Sequence, residues 1–225
     1  MRKMLAAALP TEPHARLLVS LLAGITALVW LSFFVAFSLH RVYPIDGIKR
    51  FVDIGAEANL PTWWNTCLLA LVAFQAADRG ITSHLRSHVR TRNAWATIAA
   101  IAAGLSLDEA TALHERLDAV ERSLGTGIPT YGWLVAGSVV GLFAAAVLIA
   151  SGRQLPVQLR RPLAGALFAY GAGAVGFEAI GGWLDTTDLP GGFFTVAIVI
   201  EESLEMWACV YAIGVLLSSD DAGQE

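Results

Sequence analysis

Five acidic residues interrupt stretches of sequence that are otherwise apolar enough to lie in a bilayer. Three of them, Glu201, Glu202 and Glu205, fall inside the run 198–217, about the length a membrane-crossing helix needs. Asp108 and Glu178 lie in two further apolar runs. An acidic side chain at the centre of a span costs roughly 2.5 to 3.5 kcal/mol, so each needs compensation. Arg or Lys would be the usual partner, but neither occurs between Asn93 and Glu115 or anywhere after Arg161. Two chemistries remain. The acids carry protons, which desolvation and neighbouring like charge both favour, or they hold a cation.

Ligand type narrows the cation. Carboxylates with one imidazole nearby, His114, suit hard divalent ions such as Ca, Mg or Mn, whereas structural zinc and soft copper prefer other donors. The expected set of ligands or proton carriers is Asp108, Glu178, Glu201, Glu202 and Glu205, with His114 and Glu115 at the entrance. An iron site fits less well. Carboxylate di-iron bundles place a Glu-x-x-His pair on each of two helices, whereas His114 follows Glu109 by five residues and the last run has no histidine. A lone membrane glutamate can also sit protonated as polar glue between helices, but five acids in three runs favour a site.

Composition says where these residues must be held. The 225-residue chain is 56% hydrophobic and 15% charged, with a mean hydropathy of +0.59, well outside the range of soluble domains. A net charge of −4 supplies no basic surface for nucleic acid, and phosphate-loop, dinucleotide-binding and zinc-finger spacings are missing. Six apolar runs, roughly 17–39, 61–77, 94–112, 131–150, 163–184 and 193–217, predict an all-α polytopic membrane bundle with six transmembrane helices. The predicted organisation is a cytoplasmic tail over 1–16, one bundle over 17–217 and a second tail over 218–225. Near 45–58, apolar residues mixed with charges suggest a short amphipathic helix on the outer surface.

Basic residues orient the bundle. Arg2, Lys3, Arg16, Arg79, Arg86, Arg90, Arg92, Arg153, Arg160 and Arg161 fall on one side, and Arg41, Lys49, Arg50, Arg116 and Arg122 on the other. That asymmetry places both termini in the cytoplasm. Trp63, Trp64, Trp133 and Trp183 then belong at the outer interface, where amphipathic rings are favoured. His84 and His88 have the i, i+4 spacing of a helical metal pair but sit in a basic connection, where contact with solvent or headgroups is the simpler reading. His40 ends the first run at a depth that would let it approach His114. Cys67 and Cys209 lie at different depths, which predicts two unpaired thiols.

Helical periodicity assigns faces. Thr97, Gly104, Asp108, Thr111 and Glu115 share one stripe, predicted to face protein or water. Glu109, Arg116, Asp118, Glu121 and Arg122 read as the solvated face of a helix leaving the membrane. Gly165, Ala169 and Gly173, with Ala172 and Gly176 beside them, read as a close-packing seam. Glu178 is placed on one face with Gly171, Gly182 and Asp185.

The segment "EANLPTWWNT", followed by "LSLDEATALHE" and an acid-rich last run, resembles a family of uncharacterised bacterial multi-pass membrane proteins. The resemblance implies a bacterial inner-membrane location and a shared polar core, and brings no activity with it. The leading expectation is a carboxylate-lined intramembrane site that binds or moves a divalent cation or protons. A metal-dependent membrane enzyme acting on a lipid or quinone is the runner-up, with His114 as ligand or general base, and a structural or accessory membrane subunit is the third.

Overall fold

The computed structural model describes residues 10, 12–40, 46–83, 89–117, 123, 127 and 129–218. Most of the amino tail, His84, His88, Asp118, Glu121, Arg122 and residues 219–225 lie outside the described residues. Helix α1 spans Pro13–His40, α2 Asp46–Val52, α3 Leu60–Ser83 and α4 Val89–Thr111, and a 3-10 turn follows at His114–Leu117. Helix α5 spans Trp133–Gly152 and α6 Val157–Gly171; a π segment at Ala172–Phe177 leads into α7, Glu178–Asp185, and α8 spans Gly191–Ser218. The described residues contain no strand.

Each of the six expected runs falls on a long helix, but three qualify as membrane spans by length and apolar character. These are Pro13–His40, Trp133–Gly152 and the combined Val157–Asp185. Helices α3, α4 and α8 fall short because their polar groups dilute the apolar run: Asn65, Asp78 and Arg79 in α3, Arg90, Arg92, Asp108 and Glu109 in α4, and the three glutamates of α8. Of these groups Asn65, Glu201 and Glu205 are buried, whereas Asp78 and Arg90 are exposed.

Helix α8 is the centre of the molecule. Its second half, including Met206, Cys209, Val210, Ile213, Val215 and Leu216, is buried nearly all round, as expected of a helix that is apolar on every side. Val19, Leu22 and Val29 of α1 and Trp64, Leu68 and Leu69 of α3 pack on it in the main core cluster. A second cluster joins Ala76, Ala94, Trp95 and Leu155 to Leu216. By contrast, α5 turns Val139, Val140, Leu142 and Phe143 outward, the expected surface for lipid. Asn59 ties α2 to α3: its side-chain amide donates to the Arg50 and Asp53 carbonyls, while its Oδ1 accepts the Thr62 N–H at 3.2 Å and caps α3.

Two features of the ends and turns differ from the expectation. Helix α4 does not run on into the charged segment. It stops at Thr111 in a Schellman turn, with Ala112 at φ 46° and the Leu113 N–H on the Asp108 carbonyl at 3.3 Å. The expected amphipathic helix near 45–58 is confined to the seven residues of α2, after which Ile54 is buried against Trp30 and Phe33. The tryptophan belt is also split. Trp63 and Trp183 are exposed, whereas Trp64 is buried and donates from Nε1 to Thr26 Oγ1 at 2.9 Å, and Trp133 is buried with its ring 4.8 Å from that of His114.

Candidate functional site

The buried polar centre is built around Asn65, fully enclosed on α3. Its Nδ2 donates to Glu205 Oε2 at 3.1 Å, across from α8, and Glu109 of α4 lies within hydrogen-bonding reach of its side chain. Tyr170 of α6 lies within hydrogen-bonding reach of Glu205 as well. One turn back along α8, the Glu201 carboxyl lies within hydrogen-bonding reach of Glu178. Glu202 lies in the electrostatic reach of Glu205, Glu109, Glu57 and Glu178. Acids from α4, α7 and α8, with Glu57 from the loop before α3, therefore face one another. The Oδ1 of Asn65 is buried without a hydrogen-bond partner among the described residues, an orphaned acceptor in the middle of the carboxyls.

The π segment sets this convergence. A π turn takes one more residue per hydrogen-bonded loop than an α turn, and such turns are frequent at functional sites. Here it shifts the phase of everything after Gly171. Gly173 lies against α8, where an added Cβ would be 2.8 Å from the Glu201 carbonyl oxygen and 3.0 Å from Glu205 Cγ. Gly171, Gly165 and Gly176 have open space around them, and Gly182 packs on Thr130 and Tyr131 instead. The expected grouping of Glu178 with Gly171, Gly182 and Asp185 is thus replaced: Glu178 and Gly173 meet α8, and Asp185 is exposed. Of the three glycines in the expected close-packing seam, only Gly173 meets a neighbouring helix.

Helix α4 turns a different face inward from the one expected. Ala102, Ser106 and Glu109 face α3, with Ser106 Oγ donating to the Thr66 carbonyl at 3.0 Å. The stripe through Thr97, Gly104 and Thr111 faces outward from the described bundle. Its hydroxyls are satisfied locally, Thr97 on the Asn93 carbonyl at 2.9 Å and Thr111 on the Leu107 carbonyl at 2.7 Å, so neither needs a partner helix. Glu109, read from sequence as solvated, is the α4 acid that enters the cluster.

Asp108 has a separate role at the end of α4. Its Oδ1 accepts the His114 N–H at 2.8 Å and its Oδ2 meets His114 Nδ1 at 2.9 Å, which ties the 3-10 turn to the helix. His114 lies beyond the end of α4. Burial disfavours its imidazolium, but the hydrogen bond to Asp108 and the charges of Asp108, Glu178 and Glu57 outweigh this, and its pKa is raised above the ordinary 6.5. Glu115 belongs to the same turn, and its side chain lies outside the described residues. His40 approaches Asp46, with Nε2 3.7 Å from Oδ1, rather than His114. Cys67 and Cys209 are free thiols.

Of the expected set, Glu178, Glu201, Glu202 and Glu205 come together, while Asp108 and His114 form a pair at the rim. Asn65, Tyr170, Glu109 and Glu57 complete the cluster; Glu109 was read from sequence as solvated, and the other three were not singled out. The motif "TWWNT" did carry a signal for Asn65, since an amide in an apolar run needs partners. Among the described residues, no three His, Cys, Asp or Glu side chains are arranged to share one metal ion.

Fold and site together define an all-α protein with three helices apolar enough for a membrane and a buried, carboxyl-rich centre. The chain belongs to the family described as a domain of unknown function, DUF8692, whose model matches residues 21–219. No curated protein and no solved structure matches the chain.

Proposed function

We propose that the chain is a multi-pass protein of the bacterial cytoplasmic membrane, crossing six times with both termini inside, and that its buried carboxyls bind and relay protons. The observation that carries this reading is the meeting of Glu109, Glu178, Glu201, Glu202 and Glu205 around Asn65, with no Lys or Arg paired to them among the described residues. Two carboxyls within hydrogen-bonding reach share a proton unless a cation lies between them. The chain of groups runs from Glu57 and the Asp108–His114 pair at the rim, through Glu178 and Glu201, to Glu205 and Tyr170. Beyond Cys209, α8 is sealed by Ile213, Val215 and Leu216, so protons load from the rim side in this conformation.

The orphaned Asn65 Oδ1 favours a second reading, a hard divalent cation, because an amide oxygen among carboxylates is a suitable donor set for Ca, Mg or Mn. The lack of a three-residue ligand group among the described residues places this second.

Proton flux into vesicles reconstituted with the purified chain, under a valinomycin-clamped potential, tests both. Wild type is expected to take up protons without added metal, and Glu201→Gln with Glu205→Gln to reduce the rate at least about tenfold with the melting temperature preserved, since neutral amides are cheaper than charges in a span. Stoichiometric bound metal, with a melting temperature that rises on adding it, would move the assignment to the cation. No uptake, no metal and a double variant as stable as wild type would leave the acids as protonated packing groups and overturn the proposal.

A further inference from the structure

A groove of about 500 Å³ opens between α3, α4, α5, α6 and α8 on the side of the bundle away from the rim. Its walls are aliphatic, with Val72, Ile98, Ile101, Leu148, Leu167 and Ala212 among them. Three arginines, Arg153, Arg160 and Arg161, line one end, and Tyr170 lies at the other. All three arginines are exposed, and none pairs with a carboxylate among the described residues. Along α6, Tyr170 stands nine residues beyond Arg161, roughly 14 Å at about 1.5 Å per residue. That is close to half of the ~30 Å hydrocarbon core, so the groove is as deep as one leaflet.

We propose that this groove binds one anionic phospholipid, with the phosphate on Arg153, Arg160 and Arg161 and an acyl chain lying along the aliphatic walls towards Tyr170. Charge decides the headgroup, because three uncompensated guanidinium groups at the level of the headgroups select a phosphate that carries net negative charge. Depth and wall chemistry decide the tail, since the stretch between the arginines and Tyr170 is walled mainly by Ile, Leu, Val and Ala, which leave the polar groups of a peptide or a sugar unsatisfied. The site is distinct from the carboxyl cluster and adjoins it through the Tyr170 side chain, which lies within hydrogen-bonding reach of Glu205.

Native mass spectrometry of the full chain, released from detergent containing equal amounts of dioleoyl phosphatidylglycerol and dioleoyl phosphatidylcholine, tests the proposal. The expected result is one retained phosphatidylglycerol per chain, favoured over phosphatidylcholine by at least about tenfold. Arg153→Gln/Arg160→Gln/Arg161→Gln should bring the two lipids to parity with the melting temperature in lipid-free detergent unchanged. Ala164→Phe, which fills the groove from its exposed wall, should reduce retention of both. Glycerol 3-phosphate, a headgroup without a tail, should not compete at millimolar concentration. Equal retention of the two lipids by wild type, undiminished phosphatidylglycerol in the arginine variant, full competition by glycerol 3-phosphate, or a dimer that buries the groove in place of lipid would each overturn it.

Discussion

Asn65 meets two acids from two helices and still keeps one unsatisfied atom. Its amide nitrogen serves Glu205 and its side chain lies within hydrogen-bonding reach of Glu109, while Oδ1 is buried with no partner among the described residues. At the rim, His114 is the residue whose charge can be read out. Its folded-state pKa is raised above 6.5, so folding favours the imidazolium. The stabilisation is therefore fully present below the unfolded pKa, about 6.5, and is lost as pH rises through the higher folded-state value. Melting curves of wild type and His114→Gln, taken from pH 6 to 9, should show a difference in stability that shrinks as pH rises. A difference that grows with pH, or stays flat, contradicts the Asp108–His114 assignment.

At the scale of elements, the π segment is what aims Glu178. Were Ala172–Phe177 ordinary α-helix, the residues after it would be turned relative to α8, and Gly173 and Glu178 would not both meet the stretch from Glu201 to Glu205. Gly173→Ala tests that contact. The alanine Cβ would sit 2.8 Å from a backbone oxygen, and relieving such overpacking costs about 1–3 kcal/mol, more than the ~1 kcal/mol that alanine gains over glycine within a helix. A net loss of stability is expected. Gly171→Ala, two residues away in open space, should be neutral or slightly stabilising. Equal effects of the two substitutions in a denaturation assay would refute the assigned face.

At the scale of the whole molecule, two ends of the bundle differ in chemistry. One carries the acid rim, the other Arg153, Arg160 and Arg161, together with Arg79, whose guanidinium stacks on Trp95 at 5.6 Å and bonds the Leu216 carbonyl near the end of α8. A cation there complements the negative end of the helix dipole. If the basic end is cytoplasmic, a single cysteine at Asp188, in a background of Cys67→Ala and Cys209→Ala, reacts with a membrane-impermeant maleimide added outside intact cells. Labelling only after the cytoplasm is opened would reverse the orientation.

The positions of the long helices were legible in the sequence, because apolar runs of about twenty residues have few alternatives to helix where lipid is the solvent. So was the electrostatic problem, since the acids outnumber any available Lys or Arg in their runs. Azimuth was not legible. Periodicity groups residues on a face but says nothing about which face meets a neighbour, and the polar stripe of α4 misleads because Thr97 and Thr111 bond their own helix and need no partner. Glu109 replaced Asp108 in the cluster for that reason: Ala102 and Ser106 allow close approach to α3, and Asn65 is there to receive the acid. Nor does a sequence announce a π turn, which changed the companions of Glu178. The sequence shows that the acids lack Lys or Arg partners in their own runs. Only the packing of α3, α4, α6, α7 and α8 around Asn65 decided which acids share the problem, because hydrogen-bond partners from helices remote in sequence are set by rotation and depth together.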